Sequence, residues 1–150
     1  MRVALVYPGY FSTSAESNWV SHALCLLSAC AKQEGHETFL LDLREMTGWE
    51  EFQSRLSKIQ PEVIAITVMT INYPQSLQIA EKAKELFPDV PIVAGGIHVT
   101  LMPEDFSSNP HFDHLVLGEG EVVFTELLGS LARGEKPEKI IRGKPANLEL

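Results

Sequence analysis

Two glycine-rich segments carry most of the groups that could bind a ligand. Residues 95–100 read Gly-Gly-Ile-His-Val-Thr, and residues 118–121 read Gly-Glu-Gly-Glu. Adjacent glycines lack Cβ atoms, so a bulky ligand can lie against the backbone there, although a tight turn explains the pair equally well. A lone histidine such as His98 is more often a hydrogen-bonding loop residue than a ligand, and the carboxylates of the second segment suit the start of a helix.

Two further segments add hydroxyl groups and a soft thioether. Residues 8–17 form a long predicted loop rich in serine and threonine, but it lacks the Gly-x-Gly-x-x-Gly that seats a dinucleotide pyrophosphate. The third predicted strand runs into residues 67–72, which combine two threonines with a methionine. A turn with a helix cap at Asn72 accounts for this segment as well.

The elements that must position these segments alternate regularly along the chain. Right-handed crossovers through helices join consecutive strands, which gives a parallel sheet with helices on both faces. Because five strands do not complete the two halves of a dinucleotide fold, we predict an α/β, flavodoxin-like (Rossmann-like) open sheet in the order 2-1-3-4-5. The predicted strands are residues 2–7, 37–42, 62–67, 92–94 and 114–117, with a weaker edge strand at 139–142.

Helix ends are marked by familiar signals. The first helix ends at Gly35 in a left-handed cap, and residues 47–50 have the spacing of a capping box for the second. The third helix begins near Pro74, where a missing amide hydrogen costs little. The last full helix runs from near Gly120 to Gly134.

The longer connections are all predicted at one edge of the sheet. They are residues 8–17, 68–72, 95–102 and 118–120, whereas the connections at the other edge are brief turns. Ligands of such sheets bind outside the carboxyl ends of the strands. We therefore predict that the binding site lies at the carboxyl edge. The difference in loop length does not identify the ligand.

Composition restricts the partners and the compartment. The 150 residues fit one domain, and a formal charge of −8 without a run of Lys and Arg argues against nucleic acid. No apolar stretch approaches the ~20 residues of a membrane helix, and the amino-terminal segment is too short for a signal peptide. We expect a cytoplasmic protein that does not bind membranes. Cys25 and Cys30 match neither a disulfide framework nor a zinc site and are expected to be buried thiols.

The order and spacing of these motifs resemble the cobalamin-binding domain of radical S-adenosylmethionine (SAM) proteins. The resemblance covers residues 2–135 and is carried by residues 95–100 with 103–104, and by residues 118–121 with Phe124, Glu126 and Leu127. The first loop lacks the Asp-x-His-x-x-Gly motif, whose histidine ligates cobalt in the wider cobalamin family. The resemblance therefore implies cobalamin bound without a protein histidine on the metal.

The resemblance also implies where cobalamin lies. The corrin would cross the carboxyl edge of the sheet, with its nucleotide tail let into the domain beside Gly95 and Gly96. Small residues beneath the ring, and hydroxyl or backbone groups around it, suit a broad disc fringed with amides. Met69 or Val68 would face the metal or the ring plane. The predicted cofactor-binding residues are Pro8, Gly9, Thr67, Val68, Met69, Thr70, Gly95, Gly96, His98, Thr100, Gly118, Glu119 and Gly120, with no catalytic or metal-ligating residue among them.

The chain lacks the Cys-x-x-x-Cys-x-x-Cys with which the resembled enzymes bind a 4Fe-4S cluster. We expect residues 1–142 to form the cobalamin-binding domain and residues 143–150 to begin a linker to an absent radical SAM domain. That domain would hold the cluster and SAM. The parent protein is expected to be an enzyme of methyl transfer or related radical chemistry, whereas this chain alone is expected to catalyse nothing.

Two alternatives remain open. A degenerate domain could keep the fold without cobalamin and serve only for docking or oligomerisation. A free-standing flavodoxin-like domain could instead bind flavin or a nucleotide, which the fold alone suggests. The colour of the purified protein separates the flavin alternative from cobalamin binding, because a flavoprotein is yellow and a cobalamin protein is pink to orange.

Overall fold

In the computed structural model, which describes residues 1–11 and 20–144, six parallel strands form one sheet. The predicted flavodoxin-like order is confirmed, and the weak candidate at 139–142 becomes a sixth strand beside the fifth. Residues 12–17 of the predicted first loop and 145–150 of the predicted linker lie outside the described residues. The strands are β1 (Arg2–Tyr7), β2 (Glu37–Asp42), β3 (Val63–Thr67), β4 (Ile92–Gly95), β5 (His114–Leu117) and β6 (Ile140–Arg142), in the order β2-β1-β3-β4-β5-β6.

Six α-helices connect the strands in the described part of the chain. They are α1 (His22–Gln33), α2 (Trp49–Ile59), α3 (Tyr73–Leu86), α4 (Ile97–Leu101), α5 (Glu104–Ser107) and α6 (Glu121–Ala132). Gly35 and Gly134 follow α1 and α6 with φ of +81° and +73°, which confirms both predicted helix ends. Pro74 lies in the first turn of α3, also as predicted. Within the described ranges, no helix is both long and apolar enough to cross a membrane.

Two predictions of local structure were wrong. The segment after β4 is a short helix, α4, and not a loop, because the chain turns at Gly96 and the Thr100 amide then bonds the Gly96 carbonyl at 3.0 Å. The second helix lacks the predicted capping box. Instead, the Glu51 carboxylate accepts hydrogen bonds from the amide and the hydroxyl of Thr47, both at 2.9 Å.

The expectation of two buried thiols was also wrong. Cys25 is exposed and Cys30 is only partly buried. Helix α1 turns Leu24 and Ala31 toward the sheet, and this leaves Cys25 on the outer side of the helix. The apolar sequence of α1 therefore does not mean that all its residues are buried, and only Leu24 and Ala31 are.

The two faces of the sheet carry cores of different bulk. On one face, Ile64, Ile66 and Leu115 pack against large side chains of α2 and α3 such as Phe52. On the other face, Ala65, Val93 and Val116 meet α1 and α6. Side chains alternate between faces along a strand, so Gly95 lies on the same side as Val93. The face toward α1 and α6 thus has its smallest residues at the carboxyl ends of the central strands.

Candidate functional site

An apolar cleft of about 180 Å³ opens at the carboxyl edge of the sheet, between the strands and helices α1 and α6. Ala65, Gly95 and Val116 form its floor on three neighbouring strands, and Leu27 and Phe124 stand on its helical sides. The space exists because two of the three floor residues carry little or no side chain. A flat apolar group can enter it from the edge.

Predicted binding residues from three different segments line this cleft. Those at the cleft are Thr67, Gly95, Gly96, Gly118, Glu119 and Gly120. The others lie elsewhere along the edge or beneath it: Pro8, Gly9, Val68, Met69, Thr70, His98 and Thr100. Sequence reasoning missed the remaining lining, namely Ala23, Leu24, Leu27, Ala65, Ile66, Val93, Val116, Glu121 and Phe124. Most of these are apolar residues of helix or strand patterns, and such patterns indicate a core position without distinguishing it from a cleft wall.

The two adjacent glycines have different roles. A Cβ at Gly95 would lie 3.6 Å from the Val116 carbonyl oxygen, an ordinary contact, so that position opens into the cleft. A Cβ at Gly96 would lie 2.7 Å from the Val68 oxygen and 2.9 Å from its nitrogen, and Gly96 has a φ of +106°. Glycine is therefore required at 96 by the protein's own backbone, whereas at 95 it leaves room for something else.

Val68 holds the end of β3 against the start of α4. Its amide donates to the Gly95 carbonyl at 2.7 Å, and its carbonyl accepts from the His98 amide at 3.1 Å. Its side chain is fully buried in the core beneath α2 and α3. Met69 is only partly buried and packs against the opposite core. Of the two residues predicted to face the metal or the ring plane, Met69 is the one near the surface.

Thr100 joins the two glycine-rich motifs. Its hydroxyl donates to the Gly96 carbonyl at 3.0 Å and accepts from the Gly118 amide at 2.9 Å. One side chain thus satisfies a backbone group of each motif, and it fixes the distance between the β4–α4 turn and the β5–α6 loop. Thr100 acts on the cleft through these loops.

Replacing Thr100 by valine should therefore destabilise the fold. Valine has the same shape but removes this partner from the Gly96 carbonyl, which keeps the Thr100 amide, and from the exposed Gly118 amide, which water can reach, so we expect the free energy of unfolding to fall by about 0.5–1.5 kcal/mol. Denaturant titration of the wild type, Thr100→Val and Thr100→Ser measures it. Serine keeps the hydroxyl and should lie close to the wild type. A valine variant as stable as the wild type would show that the bridge contributes nothing.

His98 is buried, with 6% of its surface exposed. Its Nδ1 lies 3.0 Å from the Thr70 hydroxyl oxygen, and its Nε2 lies 3.1 Å from a carboxylate oxygen of Asp105. The ring packs beside Tyr73 and Phe106, with centroid distances of 4.8 and 5.6 Å. Both ring nitrogens are therefore engaged within the protein.

Pro8 and Gly9 lie buried at the end of β1, at the β2 side of the cleft. A Cβ at Gly9 would overlap the side chain of Arg44, whose guanidinium lies 4.3 Å from the centre of the Tyr7 ring. Arg44 also forms an ion pair with Asp42. Burial is the main cause that raises the pKa of Tyr7. This end of the edge is closed by the protein's own side chains.

The family model described as the B12 binding domain matches residues 11–128. The chain is 29% identical over 143 residues to an anaerobic magnesium-protoporphyrin IX monomethyl ester cyclase of Rubrivivax gelatinosus, covering 89% of this chain and 25% of that protein. It is 40% identical over 73 residues to the cobalamin-dependent radical SAM methyltransferase TokK of Streptomyces tokunonensis, covering 48% of this chain and 11% of that protein.

A solved structure of the radical SAM methyltransferase TsrM from Kitasatospora setae shares the fold. Its TM-score is 0.74 at 23% identity, covering 89% of this chain and 26% of that chain. The present chain spans about a quarter or less of the curated relatives' length. The family match includes both glycine-rich motifs and confirms the resemblance inferred from them. On this match, the chain belongs to the B12 binding domain family.

Proposed function

We propose that this chain binds cobalamin at the carboxyl edge of its sheet and is the cofactor-carrying domain of a cobalamin-dependent radical SAM enzyme. The observation that carries the proposal is the apolar cleft beneath the two glycine-rich motifs of a B12 binding domain. When bound, cobalamin supplies a cobalt centre able to carry a methyl group. The chain itself binds and orients the cofactor.

The residues at the cleft fit the cofactor's nucleotide tail. A flat aromatic base needs a narrow apolar slot, and Gly95 and Gly120 keep such a slot open between the sheet and the two helices. A Cβ at Gly120 would meet Leu27 at 3.4 Å and Val116 at 3.9 Å, so a side chain there would fill the same space. Burial of the base against these walls would exclude water from it.

The rim of the cleft fits the amide-fringed ring. Thr67 lies at the cleft wall, and Thr70, Gly118 and Glu119 are exposed at the edge. Hydroxyl, carboxylate and backbone groups can exchange hydrogen bonds with amides. In this proposal Met69 borders the ring, Pro8 and Gly9 lie buried beneath its β1 side, and Val68, Gly96, His98 and Thr100 position the groups that touch it.

We also propose that residues 1–142 form the carrier domain and that residues 143–150 begin the linker to a radical SAM domain of the same polypeptide. That partner would hold the 4Fe-4S cluster and SAM, for methyl transfer or a related radical reaction. Gly143 supports a close connection, because its amide donates to the Leu117 carbonyl at 2.8 Å and a Cβ there would overlap the Glu119 backbone. The chain thus passes directly over the predicted cofactor loop.

Equilibrium titration of the protein with hydroxocobalamin, followed by the visible spectrum, tests the proposal. We expect saturable binding with a base-off spectrum that lacks a histidine ligand, because both nitrogens of His98 are bonded within the protein. Absence of binding together with strong self-association would favour the docking domain. A yellow protein that retains flavin would favour the flavodoxin-like alternative.

A further inference from the structure

Three hydrogen-bonded side chains connect the carboxyl edge of the sheet to the interior. Thr70 is exposed at the edge, its hydroxyl contacts Nδ1 of the buried His98, and Nε2 of His98 contacts the carboxylate of Asp105. The Asp105 side chain has 33% of its surface exposed. We call Thr70, His98 and Asp105 the relay.

The surroundings hold the relay in one arrangement. The Tyr73 hydroxyl donates to the backbone carbonyl of Asp105 at 3.2 Å, and the Tyr73 and Phe106 rings enclose His98. Burial, with the negative charge of Asp105 as a second cause, raises the pKa of Tyr73 and keeps its hydroxyl protonated as a donor. Neither ring nitrogen can therefore exchange its partner without movement of packed side chains.

The chemistry of the three groups fixes the direction of their hydrogen bonds. An ionised carboxylate only accepts, so Nε2 of His98 must carry a proton and donate it to Asp105. In the neutral imidazole Nδ1 is then unprotonated, and it accepts the proton of the Thr70 hydroxyl. Because its one proton is then used, the Thr70 hydroxyl oxygen can only accept further hydrogen bonds.

We infer that the relay makes Thr70 an obligatory hydrogen-bond acceptor toward the bound cofactor. This rests on the proposed function, and it goes further by assigning a chemical preference to one position of the carboxyl edge. The site selects an amide N–H at the corrin edge beside Thr70 and rejects a carboxylate there, since two acceptors cannot pair. Asp105 and His98 are positioning residues, because they act through Thr70.

The first arm of the test determines the tautomer. Long-range proton–nitrogen NMR correlations of the neutral imidazole rings distinguish a protonated Nε2 from a protonated Nδ1, and the spectrum of His98→Gln assigns the His98 signals. We expect the Nε2–H form in the wild type and a shift toward the Nδ1–H form in Asp105→Asn, which lacks the charge. A wild-type ring in the Nδ1–H form would overturn the inference.

The second arm compares hydroxocobalamin with its monocarboxylate derivatives, in each of which one side-chain amide is a carboxylate. We expect one derivative to bind the wild type ~10-fold more weakly than hydroxocobalamin, about the effect of one unpaired polar group. That discrimination should disappear in Thr70→Val and shrink in Asp105→Asn. Thr125→Val is the matched control, because the Thr125 hydroxyl bonds only carbonyls of its own helix among the described residues.

The outcomes separate the inference from the function on which it rests. A wild type that binds no hydroxocobalamin overturns the proposed function, and the cofactor preference with it. A wild type that binds hydroxocobalamin and all derivatives equally overturns the inference alone. Equal discrimination by the wild type and Thr70→Val does the same, because the selectivity would then come from another residue.

Discussion

Gly95→Leu should weaken cobalamin binding strongly and leave the protein folded. The new Cβ makes only ordinary contacts with Val116, and the rest of the side chain occupies the apolar cleft that we assign to the nucleotide tail. Because the cofactor would have to share a close-packed space with four added carbon atoms, we expect Kd for hydroxocobalamin to rise on the order of 100-fold. Spectroscopic titration measures the loss, and thermal unfolding checks the fold.

Gly48→Leu is the matched control for this substitution. A Cβ at Gly48 would meet no atom of the described residues within 4 Å, and the position lies before α2, away from the cleft. It should bind hydroxocobalamin like the wild type. Undiminished binding by a folded Gly95→Leu variant would mean that the cofactor does not use the cleft.

Gly96→Ala should lower stability more than any other single substitution proposed above. A Cβ there would lie within 3 Å of two backbone atoms of Val68, and the φ of +106° with ψ near 180° belongs to a region that glycine alone occupies readily. We expect a loss of about 3 kcal/mol or more, which lowers Tm by roughly 10 °C in a domain of this size. Differential scanning calorimetry measures the shift.

The matched control for this second prediction is Gly48→Ala. Gly48 has an extended backbone with φ of 166°, which any residue adopts, and alanine there loses only the preference for glycine at the N-cap of α2, so Tm should fall by roughly 2–4 °C at most. If Gly96→Ala melted with the wild type, the close approach of the β4–α4 turn to Val68 would be absent in solution.

The topology, and the edge of the sheet at which the cleft lies, could be predicted from the sequence because both depend on periodicity. Apolar runs separated by helical patterns mark the parallel strands, and the carboxyl ends of those strands mark the edge at which ligands bind. Helix α4 could not be predicted because three of its five residues, Ile97–Leu101, are β-branched, and such residues favour strands. A single helical turn is too short to show a period.

The details of the site depend on contacts that a linear pattern does not contain. Gly95 and Gly96 are identical in the sequence, and only the backbone torsion and the nearby Val68 separate their roles. Likewise, the contact between His98 and Asp105 depends on the bend between α4 and α5, which the sequence pattern does not show. Leu27 and Phe124 gave the same signal whether they line a cleft or fill a core.

Because the strands are parallel, the amino terminus and residue 143 lie at opposite edges of the sheet, and this matters for attaching a label or a fusion partner. The amino group of Met1 contacts Nδ1 of His36 at 3.2 Å, at the opposite edge from the cleft, whereas Gly143 lies against Glu119 at its mouth. The strand between the two edges spans roughly 20 Å. An affinity tag or fluorophore on the amino terminus would therefore be remote from an entering ligand, whereas one placed directly after residue 143 would begin at the entrance and compete with it.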